Sequence, residues 1–146
     1  MTLSLVPRHP RVTMPKTVTP LDVTTSSAAT PTTTVTTITA LPDTVNLNLY
    51  TGDDFSMSLT LTNPDGSNTS LIGSTVLAQI RSALGAAIAA SFVPSISGNV
   101  ITLTLSNTAT MNLIGKYVWD CQVTSTTGQI WTLVAGSVNF TQDVTR

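Results

Sequence analysis

Residues 55–61 read FSMSLTL. Phe55, Met57, Leu59 and Leu61 alternate with Ser56, Ser58 and Thr60. Successive side chains of a strand point to opposite faces. A strict period of two therefore gives one apolar face and one hydroxyl face, the pattern of a strand with one side in a core. The same rhythm recurs along the chain. VNLNLY (45–50) alternates Val45, Leu47 and Leu49, and STVLAQIRS (74–82) sets Val76, Ala78 and Ile80 opposite Arg81. NVITLTL (99–105) alternates Ile101, Leu103 and Leu105, and KYVWDCQVT (116–124) alternates Tyr117, Trp119, Cys121 and Val123. IWTLVAGSVNF (130–140) reads as a last strand, bent or bulged at Gly136.

Between these runs lie turn residues, NPDGSN (63–68) and STTGQ (125–129). GAAIAASF (85–92) is rich in alanine, which favours helix. Its length and its place between strands predict a strand through Ile88, Ala90 and Phe92. SNTATMNLIG (106–115) breaks the alternation, with Ser106 as a cap for one helical turn over residues 108–113. About seven short strands with turns between them predict an all-β fold. The expected architecture of residues 45–146 is a single antiparallel β-sandwich, immunoglobulin-like in layout. Phe55, Leu59, Ile80, Leu103, Tyr117, Trp119 and Cys121 are its expected core.

Residues 1–44 have another character. Six of the eight prolines lie there (Pro7, Pro10, Pro15, Pro20, Pro31 and Pro42), with no glycine and a Thr-rich, β-branched run between them. Proline removes a backbone donor and pushes the preceding residue to extended geometry. The segment is neither a helix nor a central strand. Two readings stay open: a Thr/Pro linker without structure of its own, and an extended arm that orders on a partner. About 40 extended residues would reach on the order of 130 Å. VTTITAL (35–41), through Val35, Ile38 and Leu41, has the character of a strand added to a neighbour's sheet edge. Arg8, Arg11 and Lys16, with His9, make the tip a basic cluster suited to an acidic surface.

Composition narrows the function classes. Charged residues are 9% of 146, every acidic residue is Asp, and the net charge is −1. That balance carries no electrostatic footprint for nucleic acid or an anionic membrane. It suits a chain packed against others more than a free monomer. Cys121 is the single cysteine, so no internal disulfide forms, and it reads as a small buried hydrophobe. The N-terminus lacks a continuous apolar core of signal-peptide length and no apolar run reaches membrane-spanning length. The expectation is a chain made in the cytoplasm without a secretory route, which gives the sequons at Asn68 and Asn139 no weight.

Chemistry-bearing patterns are scarce. LYTGDDF (49–55) resembles the metal-binding turn of viral RNA-dependent polymerases. Asp53 and Asp54 nevertheless fall between two strands, where Gly and Asp suit a turn. Neighbouring side chains on a strand diverge. A structural turn is expected, with a bound calcium ion as the alternative. General acid–base catalysis wants a carboxylate pair or a histidine in a concave site. The only histidine, His9, lies in the Pro-rich tip. No P-loop, CxxC, HExxH or GxSxG pattern occurs. No enzyme activity, metal or cofactor is expected. Tyr117, Trp119 and Trp131 leave sugar stacking as a lesser reading.

GDDF (52–55), GSTVLAQIRS (73–82), GNVITLTLS (98–106), TATM (108–111) and GKYVWDCQVTSTTGQIWTLVAGSVNF (115–140) follow one another in an order with a known likeness. Over roughly residues 47–140 the chain resembles small β-sandwich domains of tailed-bacteriophage virion proteins, the N-terminal domain of baseplate upper proteins in particular. The resemblance implies a structural building block with no catalytic residues to carry over. The chain departs from that pattern by its long arm and by stopping at Arg146 without a receptor-binding or fibre region. What it then resembles more is a capsid cement or decoration protein. That resemblance implies a virion location, the major capsid protein or other virion proteins as partners, and a homo-oligomer. A tail, baseplate or neck adaptor and a glycan-binding module on the virion are the alternatives.

Overall fold

The computed structural model describes residues 21–24, 33–38 and 42–145. Ten strands and one helical turn occur among them. They are β1 (Leu21–Thr24), β2 (Thr33–Ile38), β3 (Asp43–Tyr50), β4 (Phe55–Leu61) and β5 (Thr75–Arg81), then β6 (Ile88–Ser91), β7 (Val93–Ser97) and β8 (Val100–Leu105), and last α1 (Asn107–Thr110), β9 (Gly115–Thr124) and β10 (Ile130–Thr141). A six-stranded sheet has the order β1-β3-β10-β9-β5-β6 and a four-stranded sheet the order β2-β4-β8-β7. The fold is all-β and sandwich-like: the inward residues of both sheets form one apolar cluster.

Alternation in sequence becomes alternation in burial. On β4 the inward Phe55, Met57, Leu59 and Leu61 are buried and the intervening hydroxyl residues half-buried. β8 sets Ile101, Leu103 and Leu105 against them in antiparallel register. From the larger sheet come Val45, Leu47 and Leu49 of β3, Ala78 and Ile80 of β5, Trp119, Cys121 and Val123 of β9, and Val138 and Phe140 of β10. Burying such side chains contributes about 1.5–3 kcal/mol each. Tyr117 is half-buried and meets Phe140 edge-on, with centroids 5.7 Å apart and planes at 83°. Phe92 is buried between β6 and β7, where the chain leaves one sheet for the other, and its ring lies 5.3 Å from that of Trp119.

Several expectations need correction. The pairing is not antiparallel throughout: β3 runs parallel to β10, β1 to β3 and β2 to β4. Parallel neighbours need long connections, and nearly the whole described chain separates β3 from β10. The run 85–92 does not place Ile88, Ala90 and Phe92 on one face. The β5–β6 register shifts between Ile80 and Arg81, so Ile88 turns to solvent while Ala90 packs on the core. VPSIS (93–97) forms β7, an edge strand that tolerates Pro94. The irregularity in β10 lies between Thr132 and Val134, not at Gly136.

Gly136 has a different reason to be glycine. A Cβ there would overlap the main-chain carbonyl of Val45 on the neighbouring β3. At the same place the β3–β10 ladder lacks two pairs between Ala135↔Thr44 and Val138↔Leu47, with the register itself unchanged. The Asn46 carboxamide oxygen fills the gap, accepting from the Ser137 amide and hydroxyl at 3.0 Å each.

Candidate functional site

The turn that joins β3 to β4 carries Gly52, Asp53 and Asp54. Gly52 has φ +83°, and the Asp53 amide donates to Tyr50 O at 3.3 Å. The turn docks on α1, whose cap is Ser106, with its hydroxyl accepting from the Ala109 amide at 3.3 Å. Asp54 Oδ1 accepts the amide of Asn107 at 2.7 Å. Thr110, fully buried, accepts from the Gly52 amide at 3.0 Å and lies within donating distance of Asp53 O and Asn107 O. The Thr51 hydroxyl donates to Leu113 O at 2.6 Å. The contacts of Thr51 and Thr110 satisfy backbone groups that burial would otherwise strand, and those of Asp54 and Ser106 tie exposed amides of α1. The geometry of the pair is that of a brace between two segments. Among the described residues no group of three or more His, Cys, Asp or Glu side chains is placed to hold a metal ion.

A second candidate lies on the outer face of the larger sheet. Gln79, Arg81, Val118, Asp120 and Ala135, with Leu84 from the β5–β6 loop, line a shallow groove of about 390 Å³. Strand register brings these residues together: Asp120 stands between Gln79 and Ala135, and Val118 between Arg81 and Ser137. Arg81 donates to Gln79 Oε1 at 2.8 Å and to the carbonyl of Ala86. The second bond fixes the loop at whose tip Leu84 is 90% exposed. The groove offers one cation, one carboxylate and an amide among apolar surfaces. That suits a polar chain or a glycan more than a reaction. Trp119 touches the groove only at its margin, being buried, and Trp131 is half-buried against the core.

The faces of both sheets form the third candidate. Outward on the smaller sheet stand Ser56, Ser58 and Thr60 of β4, Val100, Thr102 and Thr104 of β8, and Val93, Ser95 and Ser97 of β7. Ser58 and Thr102 share a hydrogen bond of 3.2 Å. These three strands put no charged side chain on that face. Apolar side chains are exposed elsewhere: Ile72, Leu77, Leu84, Ile114 and Ile130 are all more than half open to solvent.

The residues expected in the core lie as follows. Phe55, Leu59, Ile80, Leu103, Trp119 and Cys121 are buried and Tyr117 is half-buried. Burial pushes the Cys121 thiol up to about 12, and the charge of Asp120 adds to the effect. Asp65 sits in the exposed turn after β4, where the Ser67 hydroxyl and amide hold its carboxyl below the ordinary value. Of the expected arm contacts, Arg8, Arg11, Lys16 and Leu41 lie outside the described residues. Val35 and Ile38 fall on β2, opposite Ser58 and Leu61 of β4. The sequence does not show the pairing of β2 with the chain's own β4; it points only to a strand that adds at a neighbour's edge.

No family model matches the chain, and no curated protein is significantly similar to it in sequence. No helix among the described residues is long and apolar enough to cross a membrane. The functional reading therefore rests on the surface and on the resemblance stated above.

Proposed function

We propose that the protein is a non-enzymatic structural component of a tailed-phage virion, of the cement or decoration type, that binds the shell and stabilises it. The observation that carries this reading is the surface. The outward face of β4, β8 and β7 carries no charged side chain, and Ile72, Leu77, Leu84, Ile114 and Ile130 are exposed elsewhere on the body. A free protein keeps such surface in solution poorly, whereas a subunit in a lattice covers it. The layout is proposed to be immunoglobulin-like, with residues 1–44 as the segment that engages neighbours and 45–146 as the body. The partners are the major capsid protein or other virion proteins, with the chain itself oligomeric.

Immunogold labelling of residues 45–146 on intact purified particles tests this reading. Label over the head supports it, and label at the neck or tail tip moves the chain to the tail adaptors. Absence of the epitope from denatured particles as well overturns the virion reading. A second reading draws on the groove beside Arg81, Gln79 and Asp120. Its polar, partly apolar lining suits a glycan on the virion surface. Saturable change in tryptophan emission on glycan titration supports it, and a flat response across a glycan panel removes it.

A further inference from the structure

We propose that the segment bearing β1 and β2 is a strand donor that copies of this chain exchange with one another. In the exchanged form β2 of one copy lies on β4 of the next. The inference concerns the purified chain and does not depend on where that chain works.

Both strands occupy sheet edges. β1 is first in the larger sheet and touches only β3 there, with register Leu21↔Val45 to Thr24↔Asn48. β2 is first in the smaller sheet and pairs only with β4, from Thr33↔Ser56 to Ile38↔Leu61. Each therefore has a main-chain ladder along one side only. A ladder asks for a free edge of the right direction and length rather than for particular side chains. A second copy offers the same β3 and β4 edges, so every main-chain bond opened within one chain is remade between two.

Three further features favour exchange between copies. The link from Ile38 to Asp43 is only residues 39–42 and contains Pro42, and short hinges favour swapping over closure. The opposite rim is a poorer acceptor of a donor strand. There β6 passes into β7 through buried Phe92, and Pro94 lacks the amide an edge partner would use. Charge is complementary as well. Residues 1–20 hold Arg8, Arg11 and Lys16 and no acid, while residues 42–145 hold six Asp against Arg81 and Lys116, a net −4. Asp43, Asp53 and Asp54 stand at the ends of β3 and at the start of β4, the two strands that receive the donor. A second copy of this chain is therefore the partner of fitting charge and fitting edge.

The test uses two full-length single variants, Thr37→Cys on β2 and Thr60→Cys on β4, which are direct register partners. Cα atoms paired across neighbouring strands lie within disulfide reach. The variants are purified apart, mixed, oxidised under mild conditions and mapped by mass spectrometry, with Cys121 buried and out of the way. Exchange gives the mixed 37–60 disulfide in on the order of tenfold excess over either homodisulfide, as docking raises local concentration. Replacing Thr60→Cys by Ser95→Cys on β7, at the opposite rim, removes the excess. A Thr37→Cys/Thr60→Cys double variant that closes only within one chain, while the mixed singles give statistical products, overturns the proposal. So does the absence of any 37–60 bond in either experiment, because β2 then does not rest on β4.

Discussion

The indole N–H of Trp119 donates to the main-chain carbonyl of Val45 at 2.8 Å. Trp119 is on β9 and Val45 on β3, and between those strands lies β10, whose Gly136 is the register partner of Trp119. The indole reaches over the residue that has no side chain. A buried aromatic donor and a glycine on the neighbouring strand are one device.

Replacing Gly136→Ala puts a methyl group into the Val45 carbonyl, and overpacking of this kind costs about 1–3 kcal/mol. In a domain of this size that lowers Tm by roughly 4–8 °C per kcal/mol. Trp119→Phe keeps most of the packing and leaves the carbonyl without its donor, at about 1–3 kcal/mol. Urea unfolding of both single variants and the double variant checks the coupling. The double variant should lose clearly less than the sum of the two, because each change disrupts the same contact.

Thr110→Val is nearly isosteric but strips the buried hydroxyl that accepts from Gly52. The expected loss is about 1–3 kcal/mol. Asp54→Ala removes the acceptor of the Asn107 amide, whereas Asp54→Asn keeps one. Thermal unfolding should rank Asp54→Asn close to the parent and Asp54→Ala below it, by about 1 kcal/mol. Equal losses in both would assign the aspartates a role that needs charge.

Cys121 gives stability a defined alkaline limb. Its thiol is raised from 9.0 to about 12 in the folded chain, first by burial and then by Asp120. The folded state therefore holds its proton where the unfolded state has lost it. The contribution is whole below pH 9 and declines as the pH climbs from 9.0 to about 12. The slope approaches about 1.4 kcal/mol per pH unit. Unfolding free energies measured across that window should fall less steeply in Cys121→Ala than in the parent. Thiol reagents should modify the parent no faster than it opens.

Deleting residues 1–42 takes away β1 and β2 and leaves the apolar cluster of β3–β10 in place. The expected product is a folded body whose β3 and β4 edges are bare. Sedimentation should report concentration-dependent self-association, as exposed edges template one another. Ser56→Lys, a charge on the β4 edge, should return the truncated chain toward monomer.

Much of the fold is legible where a single strand decides it. FSMSLTL, NVITLTL and KYVWDCQVT announce their buried faces, because burial and alternation share a period of two. The Ser106 cap is legible for the same local reason. Pairing direction is not, since β3 has the same alternation beside a parallel β10 as it would beside an antiparallel one. β7 hides because Pro94 argues against a central strand and says nothing of an edge. Gly136 reads as a bend because its true constraint, the Val45 carbonyl, lies 91 residues away in sequence. The brace at Asp54 is half legible: a turn residue could be read, its partner Asn107 across 53 residues could not. The outer groove is invisible in sequence, because Arg81, Asp120 and Ala135 meet only through strand register.

The hydroxyl face of β4, β8 and β7 has a consequence for how contacts respond to their medium. Ser56, Ser58, Thr60, Thr102 and Thr104 carry no counterions, so a contact made across them neither gains nor loses ions. The basic residues of the first twenty positions behave in the opposite way, since charge attraction fades within a Debye length of about 8 Å at physiological ionic strength. The molecule thus presents one surface indifferent to salt and one segment governed by it. Ionic strength is a dial that acts on that segment and the acids it meets, and leaves the hydroxyl face unmoved.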